Sequence, residues 1–243
     1  MMTNPIRQGA ATPAALPGRR PRQERSRLRV ENILAIALQL MVEQGAEALA
    51  MREIARRAEV QISSIYQYFP SKSAIIRELA QRDLARVRQL LQDAVDALLS
   101  GPKAPPIAAA VDHLVDAYFA HYRDQPEALA VWAGAQSDPS LRELDQEDTR
   151  STAQFLVEPL LRLLGRPKWD GVHALSLLVA EVTGAAARLA LTLRSPLREQ
   201  LIAQHKAMLV ATLEAHKARG EGGMSAARPP EGARRASRRP EQA

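Results

Sequence analysis

The chain has 243 residues, 46% of them hydrophobic and 25% charged, and no cysteine. That hydrophobic share supports a packed core and argues against a chain disordered throughout. The missing thiols exclude disulfides, Cys-ligated zinc and a thiol nucleophile, and they suit a reducing, cytoplasmic compartment.

The net charge of +6 sits at the ends. Residues 1–29 hold seven arginines against Glu24, and residues 217–243 hold seven basic against three acidic side chains, leaving a mildly acidic middle. This distribution suits a polyanion reached through the basic segments, and equally a pair of solubilising tails. Aromatic residues are only 4% of the chain, Ala and Leu recur, and no alternating β-branched run is bounded by turn signals. The expected fold is therefore all-α.

Residues 1–22, rich in Pro, Gly, Ala and Arg, read as a disordered basic arm with no apolar run that would make a secretory signal. The first helix is expected over about 24–44, ended by Gly45. Short helices follow over 51–58 and 62–69, the second closed by Pro70. Ser71 is placed to cap a long helix over 72–99. Ser100-Gly101-Pro102 and Pro105-Pro106 mark a boundary between a DNA-sized unit at 23–88, whose last helix continues to about 99, and a body at 106–217. In the body, helices are expected over 106–123, 125–136, 139–164, 170–193 and 196–217. Pro126 and Pro139 fall near helix starts, Asp138 and Asp170 stand as caps, and Ser195-Pro196 supplies a cap followed by proline at the first helical position. Residues 218–243 read as a second disordered basic tail. The longest apolar stretch, Val172 to Leu193, is interrupted by Glu181 and Arg188, so no membrane partner is expected.

The informative segment is AMREIARRAEVQISSIYQYF, from Ala50 to Phe69. Ile54, Ala55 and Ala58 give one short helix an apolar face, and Ile65, Tyr66 and Phe69 give the next its own. Helices this short cannot bury such faces alone and must pack on each other and on Ile33, Ala37 and Met41. That is helix-turn-helix geometry, with the second helix in the major groove, although a plain helical hairpin would show the same pattern. The outward residues of the second helix are then Gln61, Ile62, Ser63, Ser64, Gln67 and Tyr68, hydrogen-bonding groups suited to base edges and phosphates together with one apolar side chain. Lys72 is positioned for a phosphate, and Arg52, Arg56 and Arg57 surround the unit with positive charge. Arg25 and Arg27, with Arg20, Arg22 and Arg29, lead into the first helix and are candidates for the minor groove, or for a merely solvated extension.

The order ILAIALQLMVEQG, MREIARRAEV, SSIYQYFPSKSAII over residues 27–86 is similar to the DNA-binding domain of TetR-family repressors. The resemblance implies a three-helix reading unit in which Ser63, Ser64, Gln67 and Tyr68 face DNA, Tyr66 touches phosphate as well as packing, and Lys72 holds a phosphate. It also implies a helical body that binds a small effector and forms a homodimer through its last two helices. Three positions depart from the family pattern: Ala50 stands where Ser or Thr caps the second helix, Glu59 where Gly makes the turn, and Ile62 where a polar residue is common.

On that resemblance the function expected is a sequence-specific regulator released from a palindromic operator on double-stranded DNA by a small, mostly apolar effector. An architectural DNA-binding protein without effector is the alternative. Within the body, Tyr118, Tyr122, Trp132, Gln136, Phe155, His113 and His173 are candidates for the effector pocket, and each is equally explicable as core. Gly184-Ala185-Ala186-Ala187 and Leu189, Leu191 and Leu193 are candidates for the dimer surface. No H-E-x-x-H, phosphate loop, nucleophile elbow or acidic metal cluster occurs, so no enzyme, metal or cofactor is expected.

Overall fold

In a computed structural model the chain is described over residues 22–221; the basic arm before it and the basic tail after residue 221 lie outside the described residues. Those residues form α1 (Arg22–Gln44), α2 (Met51–Arg57), α3 (Ile62–Tyr66), α4 (Lys72–Leu99), α5 (Ile107–Asp124), α6 (Pro126–Ser137), α7 (Pro139–Leu163), α8 (Val172–Thr192) and α9 (Leu197–Glu221), with no strand among them.

The local chemistry explains most of the boundaries. Gly45 takes φ 83° after α1, a left-handed stop that glycine adopts without strain. Ser71 caps α4 by accepting a hydrogen bond from the Ala74 amide at 3.2 Å, and Pro126 opens α6 where its missing N–H is not needed. Four expectations are corrected. The reading helix is one turn shorter than 62–69, because Gln67–Phe69 form a closing turn whose Phe69 amide still donates to the Ile65 carbonyl. The last helix runs on to Glu221, so residues 218–221 are not tail. Gly171, not Asp170, occupies the position before α8, and it offers no side-chain cap. Finally, Pro196 lies just outside α9 rather than at its first helical position.

One core lies under α1–α4: Ile33, Leu34, Ala37, Leu40, Met41, Ile54, Ile65, Phe69, Ile75, Ile76 and Leu79 are all buried together. The sequence break at 100–106 does not bound this core, since Val131 and Ala135 of α6 and Leu141 of α7 belong to it. Gly134 makes the approach of α6 to α1 possible: a Cβ there would lie 2.8 Å from the Ala46 Cβ and 2.9 Å from the Met41 Cε. A second core is built from α5, α7, α8 and α9 around Ile107, Val111, Val115, Leu160, Leu164, Leu175, Ala187 and Leu213.

The helix α4 serves both. Twenty-eight residues long, it spans about 42 Å; its first half enters the first core through Ile75, Ile76, Leu79 and Ala80, and its second half carries Val87, Leu91 and Val95 into the body. At its middle Asp83, buried, accepts or shares a hydrogen bond with the buried His121 of α5 (Oδ1 to Nε2, 3.1 Å).

By length and composition α8 is apolar enough to cross a membrane, with a mean hydropathy of 1.6, yet only 28% of its most apolar stretch is buried within the chain. Its outward side, with Leu177, Leu178 and Leu189, is exposed, as is Met208 on the neighbouring α9. Of the run expected at a subunit contact, Gly184 and Ala187 instead face inward, where their small size leaves room for a cavity, and Leu191 lines that cavity; Ala185 and Leu189 face out.

Candidate nucleic-acid interface and cavity

The turn between α2 and α3 is tight. Glu59 takes φ 54°, the left-handed region that the expected glycine would occupy freely. Ala50 precedes α2 in extended conformation with no side-chain cap, so the first amides of α2 lack the hydroxyl that a Ser or Thr would offer.

Docked in this way, α3 buries Ile65 and, after its closing turn, Phe69, while Gln61, Ile62, Ser63, Tyr66 and Gln67 are exposed on one side. Two expectations change places here. Tyr66, read as part of the apolar face, is 51% exposed. Tyr68, read as outward, is half-buried against the first core, and its hydroxyl accepts a hydrogen bond from Ser26 at 3.1 Å. The cause is α1, which starts two turns before its own apolar stripe and lies along the Ser64–Tyr68 flank of α3. Arg29 donates to the Ser64 hydroxyl at 3.2 Å on the same flank. In the sequence Arg29 reads only as part of a basic extension; its three-residue spacing from Ser26, which puts both on one side of a helix, is the signal that places it on this flank.

Arg25 and Arg27 are both exposed on α1, and Arg27 is one turn before Glu31. There the hydrogen bond from Arg82 holds the Glu31 carboxyl below its usual range, and Arg27 adds to the effect. The cluster on α2 is less positive than its arginines suggest. Arg56 and Arg57 both bond Glu53, at 2.6 Å and 3.0 Å, and Arg57 also reaches Glu43 at 2.7 Å. Those bonds, that of Arg56 foremost, hold the Glu53 carboxyl at about 2. Arg52 is exposed. Lys72 is exposed at the start of α4, with its ammonium donating to the Glu47 carbonyl at 3.3 Å, which leaves two of its three donors for other partners.

The body contains a cavity of about 150 Å³ lined by residues of α4–α9. Its walls are apolar over most of their extent, through residues such as Val87, Leu91, Val111, Leu160, Val179 and Leu213. Of the seven residues expected there, Tyr118, Tyr122 and Trp132 line it. Gln136 stands behind the wall, donating to Asp145 at 3.3 Å, and Phe155 packs beside Val87, Leu91 and Tyr122. His113 and His173 are exposed on the outer sides of α5 and α8, where the polar side chain is solvated rather than turned into the bundle. One end of the cavity is polar: Asp145, Asp148, Thr149, Thr152 and Arg188 meet the three aromatic rings. The Arg188 guanidinium lies 5.5 Å from the centre of the Trp132 ring. Burial pushes the Asp148 carboxyl upward against the opposing hydrogen bond from Arg88, which is 3.0 Å away on α4. Burial likewise raises the Tyr118 hydroxyl. Among the described residues no group of three or more His, Asp or Glu could hold a metal ion.

Residues 33–79 match the family described as "Bacterial regulatory proteins, tetR family", and residues 105–217 match "Tetracyclin repressor-like, C-terminal domain". The chain is 28% identical to the HTH-type transcriptional regulator BetI of Escherichia coli over 140 residues, which is 57% of this chain and 71% of that protein. It is 36% identical to the HTH-type transcriptional repressor KstR of Mycolicibacterium smegmatis over 64 residues, 26% of this chain and 31% of that protein. Among solved structures, a TetR-family transcriptional regulator from Streptomyces coelicolor superposes with a TM-score of 0.55 at 26% identity, covering 77% of this chain and 98% of the other. A putative transcriptional regulator from Pseudomonas aeruginosa PAO1 shares the fold at a TM-score of 0.59 and 19% identity, over 83% and 96% of the two chains.

Proposed function

Because the chain belongs to the TetR family of non-enzymatic, DNA-binding transcriptional regulators, we propose that it acts in the cytoplasm as a homodimeric repressor. It holds a palindromic operator and leaves it when a small, mostly apolar molecule enters the cavity. The observation that carries this reading is that α4 is wall to the cavity and core to the reading unit along one unbroken helix.

α6 gives a second mechanical link. Trp132 faces the cavity, while its neighbours Val131 and Ala135 are buried in the first core. A molecule that displaces Trp132 therefore moves the surface on which α1 rests, and the close fit at Gly134 leaves little slack. In a two-fold dimer both reading helices must meet major grooves about 34–36 Å apart, so a shift of a few ångströms misplaces one of them. For the effector to release DNA it must bind the DNA-incompetent form more tightly, and operator DNA must weaken effector binding by the same factor.

The reading face is tested by substitution. Tyr66→Ala and Lys72→Ala should weaken binding to all DNA sequences, since both side chains are exposed and, on this reading, hold phosphates. Ser63→Ala and Gln67→Ala should instead relax preference at individual base pairs, by about 1–3 kcal/mol for a good contact. Tyr68→Phe should leave DNA affinity nearly unchanged, because its hydroxyl is engaged with Ser26. DNA affinity that is insensitive to Tyr66, Lys72 and Gln67 would overturn the assignment of this face.

A further inference from the structure

We infer that the cavity is built for an organic cation, an ammonium group on an apolar body, with the charged end between Asp145, Asp148 and the Trp132 ring; this rests on the reading of the cavity as the effector site.

The polar end already holds a cation. Arg188 lies over the face of Trp132, and a positive charge on an indole face is attracted by the ring's quadrupole. The guanidinium is weakly held: its carboxylate partner Glu181 is 3.6 Å away and largely exposed, and Arg188 itself is 28% exposed. On this inference it swings outward toward Glu181 and water when a ligand cation takes its place on the ring.

The carboxylates cannot leave in this way. Asp148 is tied to Arg88 of α4, with its side chain 19% exposed, and Asp145 is held by Gln136 of α6. An anionic head group in the same place would sit beside two fixed carboxylates in a poorly solvated pocket, where like charges repel strongly. An ammonium would pair with them and take the place of Arg188 on the ring. Burial raises the Asp148 carboxyl against the opposing bond from Arg88, with Asp145 adding to the rise, and a bound cation would favour its ionised form. The rest of the cavity, walled by Leu, Val and Ala side chains, takes the apolar body.

The test uses the full chain carrying Trp169→Phe. Of the two tryptophans in the sequence, only Trp132 then reports by fluorescence, and calorimetry on the unsubstituted protein serves as the second measurement. The probes are octyltrimethylammonium, octanol and octanoate. Octyltrimethylammonium should quench Trp132 and bind at least about tenfold more tightly than octanol, with octanoate weakest. Asp148→Asn should bring the cation down to the affinity of octanol and leave octanol itself unchanged. Equal binding of octanol and the cation would overturn the charge assignment while leaving the cavity reading intact. Octanoate binding tightest, and losing its advantage in Arg188→Met, would identify an anion site instead. If none of the three binds at millimolar concentration, the cavity reading falls and this inference with it.

Discussion

Leu178→Asp and Leu189→Asp should turn a dimer into a folded monomer and abolish high-affinity DNA binding. Both leucines are more than half exposed on α8, three turns apart on one side of the helix, and Met208 of the neighbouring α9 is exposed as well. An apolar helix this uncovered in the single chain needs a partner, and a second copy of itself supplies a matching face under two-fold symmetry. In such an interface each substitution appears twice. At roughly 2 kcal/mol or more for burying an unpaired carboxylate, the two together raise the dimer dissociation constant about a thousandfold. Sedimentation reads the oligomeric state, circular dichroism confirms that helix content is kept, and DNA binding should fall in step with dimer content. A monomeric parent protein at micromolar concentration, or a Leu189→Asp protein still dimeric, would contradict the placement of this surface.

The second large effect is expected at the middle of α4. Asp83 and His121 are 4% and 5% exposed and bond each other across the α4–α5 contact, with Arg86 reaching the same carboxylate at 3.2 Å. His121→Leu leaves a buried carboxylate with only a largely exposed arginine beside it. A cost of about 3 kcal/mol follows from the usual penalty for breaking a buried pair, which in a protein of this size lowers Tm by roughly 6–12 °C. The double variant Asp83→Leu/His121→Leu removes both polar groups from an apolar surrounding and should return to within about 1 kcal/mol of the parent. If the double variant is as unstable as the sum of the singles, the pair is not what pins α4 to the body.

Most of the helical layout was legible because its signals are local. Gly45, Pro70, Ser71 and Pro126 act within one turn of where they stand, and α4 runs from Lys72 to Leu99 as the spacing of its apolar residues requires. The helix-turn-helix was legible for the same reason: Ile54, Ala55, Ile65 and Phe69 are apolar at positions that only mutual packing with α1 can bury. What the sequence hid were contacts between distant segments. Nothing local says that Tyr68 rather than Tyr66 is turned inward, since that depends on α1 lying along one flank of α3. Nor does a period of 3.6 residues show that α6 packs into the first core through Val131 and Ala135 while its Trp132 lines the cavity. Asp83 did leave a trace, a carboxylate set in the apolar stripe of Leu79, Ala80 and Val87 that calls for a buried partner, but its partner lies 38 residues away. The histidines of the body were misplaced for the same reason: His113 and His173 stand among apolar neighbours in sequence yet point outward, because the helical face, not the neighbourhood along the chain, decides burial.

Selection of bound duplexes from a random DNA pool decides whether this protein reads a specific DNA sequence as a two-fold dimer. The expected result is enrichment of a discrete palindrome whose half-sites are centred about one helical turn, or a multiple of it, apart, with binding that weakens steeply as salt rises. Recovery of sequences without a common motif, with continuous coverage of any duplex offered, would contradict it and leave a DNA-coating protein in its place.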